Sequence, residues 1–411
     1  MSHSTELGGA IDTTHIYYNI SVTNNFTDSI VNLDVSGNPS SLEQVETYTL
    51  NKELAFNQFR SQPYLVNPSE YFMSVVRFTV DTPTLPILIV QPRVGTSFAN
   101  SLGYPTVYTI TMRAGSVDYT RTIYWSPDDR TVDKPVVPIQ PEDQTNPFFY
   151  CYSVFSFLYK INSTLESLYR QATSIQSNYP YMNFDPSTNL FTLGGDVANF
   201  RTSKDGVLLG TGTQVGVYFN SELYNLFSSL PAIYRQQSNG KDYQLLFSTG
   251  SDIALATNQP YIENVRTRGG ANDVYSTQEY STVALWNPVK SLVFRANILS
   301  PVPELVGNPY IFSSVTTNFN QYQQNSNIEQ VLIDHIVPHT SGFEGRPSMF
   351  YEPRGEYRLS DLQGNNPVNG LSITTYWKDW QNNVHPVILG LGCSATIKIL
   401  FRKKEFNSVL L

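Results

Sequence analysis

The sequence is poor in the residues that most often carry chemistry: two cysteines, Cys151 and Cys393, and five histidines among 411 residues. Two distant cysteines make no disulfide framework and read as reduced, buried thiols. No run of about 18 apolar residues is present, so no membrane-spanning helix is expected. The opening Met-Ser-His-Ser-Thr-Glu lacks the basic and apolar segments of a secretion signal, so an intracellular product is expected. The sequons at Asn19, Asn25 and Asn162 are then chance matches. Basic charge is also scarce, with 26 Lys+Arg against 34 Asp+Glu and a net charge of -8. Chains that wrap nucleic acid carry a basic face or arm. The only crowded cations here are Lys398, Arg402, Lys403 and Lys404, so contact with nucleic acid is expected to be weak or absent.

The familiar catalytic signatures are missing too. There is no GxSxG, HExxH, P-loop, GxGxxG or CxxC, and neither an enzyme nor a cofactor is expected. His335 and His339 have the spacing of a helical metal pair, but Pro338 and the β-branched flank Val331-Leu332-Ile333 favour a strand or turn. Asp128-Asp129 reads as a capped turn, since a calcium site needs several more oxygens. Arg358 beside Glu356 and Asp361 reads as surface pairing. Arg266 and Arg268 before Gly269-Gly270 read as a solvated loop tip. A glycosidase would need paired carboxylates such as Glu352 and Glu356, and nothing in the spacing fixes their separation.

What is abundant is aromatic: 27 Tyr and 23 Phe. Strand-like runs punctuated by Gly and Pro dominate, among them Ile16–Val22, Tyr71–Val80, Val107–Met112, Asp118–Trp125, Leu292–Ile298, Tyr310–Val315, Ile328–Val337, Leu371–Trp377 and Ala395–Phe401. Tyr243–Phe247 and Ser281–Leu285 are also read as strands, and a weakly patterned region within 240–284 as a long loop. One amphipathic helix is marked by Val154, Leu158, Ile161, Leu165, Leu168 and Ala172, with Asn146-Pro147 as its start signal. A tight hairpin is expected over Asn183–Phe191. A second helix is expected with Ser221 as its cap and Leu223, Leu226, Phe227 and Leu230 on its apolar face. The organisation expected is an extended arm over 1–14, a β part with a Pro-rich linker over 15–145, a helix–hairpin–helix insertion over 146–240, and a second β part over 241–411. Many short strands with few helices indicate an all-β jelly-roll sandwich, as one elaborated roll or two in tandem, with a small helix-containing insertion.

This layout resembles jelly-roll capsid proteins of small icosahedral DNA viruses such as polinton-like viruses and virophages. The carrying residues are the closing strands, Ser372-Ile373-Thr374-Thr375-Tyr376-Trp377 and Ala395-Thr396-Ile397-Lys398-Ile399-Leu400-Phe401-Arg402-Lys403-Lys404. The hairpin Asn183–Phe191, followed by Val217–Leu223 and Leu226-Phe227, is similar to a module of penton-type minor capsid proteins. The resemblance implies a virion protein, assembled in the host cytoplasm or nucleus, whose partners are copies of itself and other capsid proteins. It brings no catalytic residue. One departure is that residues 1–15 hold no Lys or Arg, whereas shell proteins that condense genomes often have a basic arm.

Interface candidates are Tyr17 and Tyr18, Pro135 and Pro138 of the linker, and Leu410 and Leu411 of the tail. Lys398, Arg402, Lys403 and Lys404 are candidates to face nucleic acid or an acidic neighbour, against the plainer reading that lysines protect a sheet edge. The alternative function is an attachment module for a host receptor or glycan, with Trp125, Trp286, Trp377 and Trp380 as stacking platforms.

Overall fold

The fold comes from a computed structural model and is described for residues 15–24, 52–95, 103–127, 134–136, 146–235, 241–247, 262–268, 271–299, 301, 304–306, 327–337, 348–353, 358–380 and 382–404. The chain divides into two units: Pro86–Pro288 with residues 339–345 form one, and the flanking sequence forms the other.

The flanking unit is a single jelly roll. Its eight main strands are β1 (His15–Thr23), β2 (Ala55–Phe59), β3 (Tyr71–Asp81), β4 (Ser291–Ala296), β5 (Val331–Ile336), β6 (Ser348–Tyr351), β7 (Gly370–Lys378) and β8 (Ser394–Lys403). One sheet runs β1-β8-β3-β6 and the other β2-β7-β4-β5, all antiparallel. The alternation read in the sequence builds it. In β8, Ala395, Ile397, Ile399 and Phe401 are buried at every second position, as a half-buried strand requires. Between the sheets Phe78 of β3 meets Phe294 of β4, with ring centroids 4.6 Å apart. A bulge at Val76 lets Lys398 face Arg77 while Ile399 faces Val75.

The other unit is inserted between β3 and β4, and it is larger than the small insertion expected. It has a five-stranded sheet ordered 232–234, 243–245, 215–219, 104–114, 117–125. A four-stranded sheet is ordered 262–268, 271–277, 190–196, 181–185. Helix α1 (Val154–Thr173) buries Phe157, Leu158, Ile161, Leu165, Leu168 and Tyr169. An aromatic cluster holds the centre: Trp286 stacks on Phe191 at 5.0 Å and meets Phe157 and Phe227 edge-on.

Several expectations need correction. Strand 104–114 pairs with 215–219, so residues on both sides of the 145/146 boundary share one sheet. The boundary at 240/241 is likewise bridged, by pairing of 232–234 with 243–245. Asn146-Pro147 opens a single 3-10 turn, Asn146 accepting from the Phe148 N–H, and α1 begins only after Ser153. The cap of helix α2 (Ser221–Leu226) is Asn220, whose Oδ1 accepts from the Leu223 N–H. Ser281–Leu285 is no strand: Val283–Trp286 forms a helical turn. It is held there because Thr282 Oγ1 and Trp286 Nε1 both donate to the Leu226 carbonyl. The strand read at Tyr243–Phe247 forms over 243–245, whereas the weakly patterned region read as a long loop contains strands at 262–268 and 271–277. The hairpin at 183–191 forms as read. The arm 1–14, Tyr310–Val315 and the tail 407–411 lie outside the described residues.

Candidate assembly surface

β8 is the second strand of its sheet, hydrogen-bonded to β1 on one side and β3 on the other. Edge protection therefore does not explain its lysines. Because side chains alternate, Ile397, Ile399 and Phe401 enter the core while Thr396, Lys398 and Arg402 stand on the outer face. Register extends that face across the sheet. Asn19, Lys398 and Arg77 lie in one row, and His15, Arg402 and Phe72 in another. Between the rows, Leu400 is opposite Tyr17.

Lys398 and Arg77 are thus like charges directly opposite each other, an arrangement that costs stability. Among the described residues no carboxylate forms an ion pair with Lys398, Arg77 or Arg402. The Lys398 ammonium instead sits 5.0 Å from the ring centre of Tyr17, which is 54% exposed. The other two cations of the basic group differ. Lys403 lies 3.6 Å from Glu70, and Lys404 is 2.8 Å from Asp361 while also covering the Phe72 ring. They read as partnered side chains at the strand's end, so of the four basic candidates only Lys398 and Arg402 join the open face. Arg77 was not singled out in the sequence. Its signal was a lone charge inside the apolar run Phe72–Val80, which alternation sends outward.

The tyrosine pair splits. Tyr17 points out, whereas Tyr18 turns inward against Tyr64, edge to face at 4.6 Å, with Arg60 over both rings. Burial, and then the neighbouring Tyr18 hydroxyl, pushes the Tyr64 hydroxyl up to about 12. Pro135 lends its carbonyl to the Tyr104 hydroxyl, and Pro138, Leu410 and Leu411 lie outside the described residues. Trp125, Trp286 and Trp377 are buried, which removes them as stacking platforms, and Trp380 is exposed.

Of the histidine pair, His335 is described. His335 lies on β5 between the rings of Phe78 and Tyr351, 5.3 and 5.0 Å away, and burial lowers its pKa. His339 lies outside the described residues. Asp379 has close polar company: it accepts from the Asn383 backbone and side chain, each at 2.8 Å, and meets His385 at 3.3 Å. Burial works to raise its pKa, but these hydrogen bonds outweigh it and hold the carboxyl below its usual range. Among the described residues no three His, Cys, Asp or Glu side chains gather as a metal set, and no helix is long and apolar enough to cross a membrane.

Comparison with known proteins adds to this geometry. A family model described as Sputnik minor capsid protein V18/19 matches residues 16–403. The chain is 25% identical over 199 residues to structural protein V19 of Sputnik virophage, covering 48% of this chain and 85% of that one. It is 33% identical over 127 residues to the uncharacterized protein V18 of the same virophage, covering 28% of this chain and 70% of that one. Among solved structures, a chain of the Sputnik virophage cryo-EM structure superposes with a TM-score of 0.69 at 22% identity, covering 95% of this chain and 98% of that chain. The mavirus penton protein superposes with a TM-score of 0.54 at 18% identity, covering 95% and 99%. At those identities the two structures speak for the fold.

Proposed function

The chain belongs to the Sputnik minor capsid protein V18/19 family, and from that premise we propose that its basic sheet face is an assembly contact to an acidic neighbouring subunit of the shell. The chain is a viral capsid structural protein, a component of the virion. Its work is done by shape and by contacts repeated through symmetry, each modest alone and large when multiplied.

One observation carries the proposal. Lys398 and Arg77 stand side by side, with Arg402 on the same face, and no carboxylate among the described residues pairs with any of them. A carboxylate from a neighbour removes that repulsion on docking, which favours the assembled state and sets its register. Another copy offers such acids. Residues 1–51 hold Glu6, Asp12, Asp28, Asp34, Glu43 and Glu46 and no Lys or Arg. Packaged nucleic acid is the weaker reading, because three cations on a chain of net charge -8 make a small footprint for a polyanion.

The test is the variant carrying Arg77→Glu and Lys398→Glu. Light scattering is expected to lose the assembled species while circular dichroism stays unchanged, and a shift assay with duplex DNA is expected to show no binding by either protein. Assembly at wild-type strength, or DNA binding that the two substitutions abolish, contradicts the proposal.

A further inference from the structure

We propose that the inserted unit carries a binding trough for an acidic oligosaccharide, on the outer face of strands 104–114 and 117–125 beside helix α1. Two concavities of about 870 and about 560 Å³ open there, and they share Thr120 and Thr122 as lining residues. Each is of the size that holds a small ligand. The shared lining is hydroxyl-rich because threonines occupy alternate positions on the strand, Thr120 and Thr122, with Thr109 of the smaller concavity facing Thr122.

The Thr109 hydroxyl adds to this. Thr109 lines the smaller concavity, the residue is 7% exposed, and the oxygen has no hydrogen-bond partner among the described residues. A buried hydroxyl left without a partner is unfavourable, and a polar ligand atom relieves it.

The wall formed by α1 supplies the rest. Tyr159, 69% exposed, and Tyr124 of the strand both line the larger concavity, giving flat surfaces for the apolar face of a sugar ring. Lys160 and Arg121 line the same concavity, and their hydrogen-bond partners there are neutral: Ser126 Oγ at 2.8 Å and Gln171 Oε1 at 3.3 Å. Among the described residues no carboxylate lines this part, so a negative group on a sugar meets two cations there. Glu222 and Asp242 line the smaller concavity. There they accept from sugar hydroxyls and repel a continuous polyphosphate. That division of charge favours a glycan with one acidic group over a nucleic-acid backbone.

The experiment uses the full chain on an array of sialylated, sulfated and neutral glycans, followed by calorimetric titration of the best binder. Tyr159→Ala and Lys160→Ala, both at positions open to the trough, are each expected to weaken binding by about tenfold or more with an unchanged circular dichroism spectrum. Thr109→Val keeps the side-chain shape, removes the orphan hydroxyl and is expected to weaken binding while leaving the protein at least as stable. Selection of neutral glycans only, absence of any glycan binding, equal binding by all three variants, or preference for DNA in a parallel titration each overturns the proposal.

Discussion

The jelly roll and the unit inserted in it are built by opposite strategies. The jelly roll draws its two sheets from both ends of the chain, so that His15 pairs with Arg402 and Thr23 with Ser394. Its strands bury aliphatic side chains by simple alternation. The inserted unit is nearly contiguous, and it closes around one helix and a knot of Phe and Trp side chains. Their outer faces differ as well. The β1-β8-β3 sheet presents cations with no carboxylate partner among the described residues, while the inserted sheet presents a row of threonines. The first arrangement suits a part that must fit its neighbours, and the second suits a part free to vary around a ligand.

The contrast can be broken most decisively by cutting the chain. Residues 86–288 alone are expected to unfold cooperatively, with near-UV dichroism from Trp125 and Trp286. Residues 289–411 alone are expected to lack a cooperative transition, because β1, β2 and β3 are missing from both sheets. A folded 289–411 fragment would erase the distinction. Next in size, Trp286→Ala removes the ring against Phe157, Phe191 and Phe227 and is expected to cost about 3–5 kcal/mol in denaturant titration. Ile399→Val in β8 is expected to cost only about 0.5–1.5 kcal/mol, since the alternating core loses one methylene. The smallest effect concerns pH. Burial keeps His335 neutral, so its folded pKa lies below the ordinary 6.5 and the unfolded chain takes up the proton first. That contribution is whole above pH 6.5 and is lost as pH falls from there toward the folded value. His335→Gln is expected to flatten stability against pH in that window, and an unchanged slope would place the titrating group elsewhere.

Much of the jelly roll was legible in the sequence because alternation is local. Ala395, Ile397, Ile399 and Phe401 declare a half-buried strand, and Val154 to Ala172 declare a helix stripe. Pairing is not local, and no spacing told that β8 would lie between β1 and β3 rather than at an edge. The lysines of that strand therefore carried two readings until its partners were known. Val283–Trp286 was misread for a related reason. Its β-favouring residues are overridden by two hydrogen bonds to the Leu226 carbonyl, a contact made 56 and 60 residues away in sequence. The single roll and the length of its insertion stayed hidden because β3 and β4 are adjacent elements of one roll separated by about 200 residues of chain. The threonine floor was visible only as two ordinary strands, since it exists once Thr109 and Thr122 are brought opposite each other.

A protein that acts by repeated lateral contact must change mass with concentration when purified as the full chain. Mass photometry, with and without the other shell proteins, should reveal a closed oligomer of one fixed number that loosens as salt screens the basic face. A monomer at every concentration that also ignores its shell partners would rule out repeated lateral contact as its mode of action.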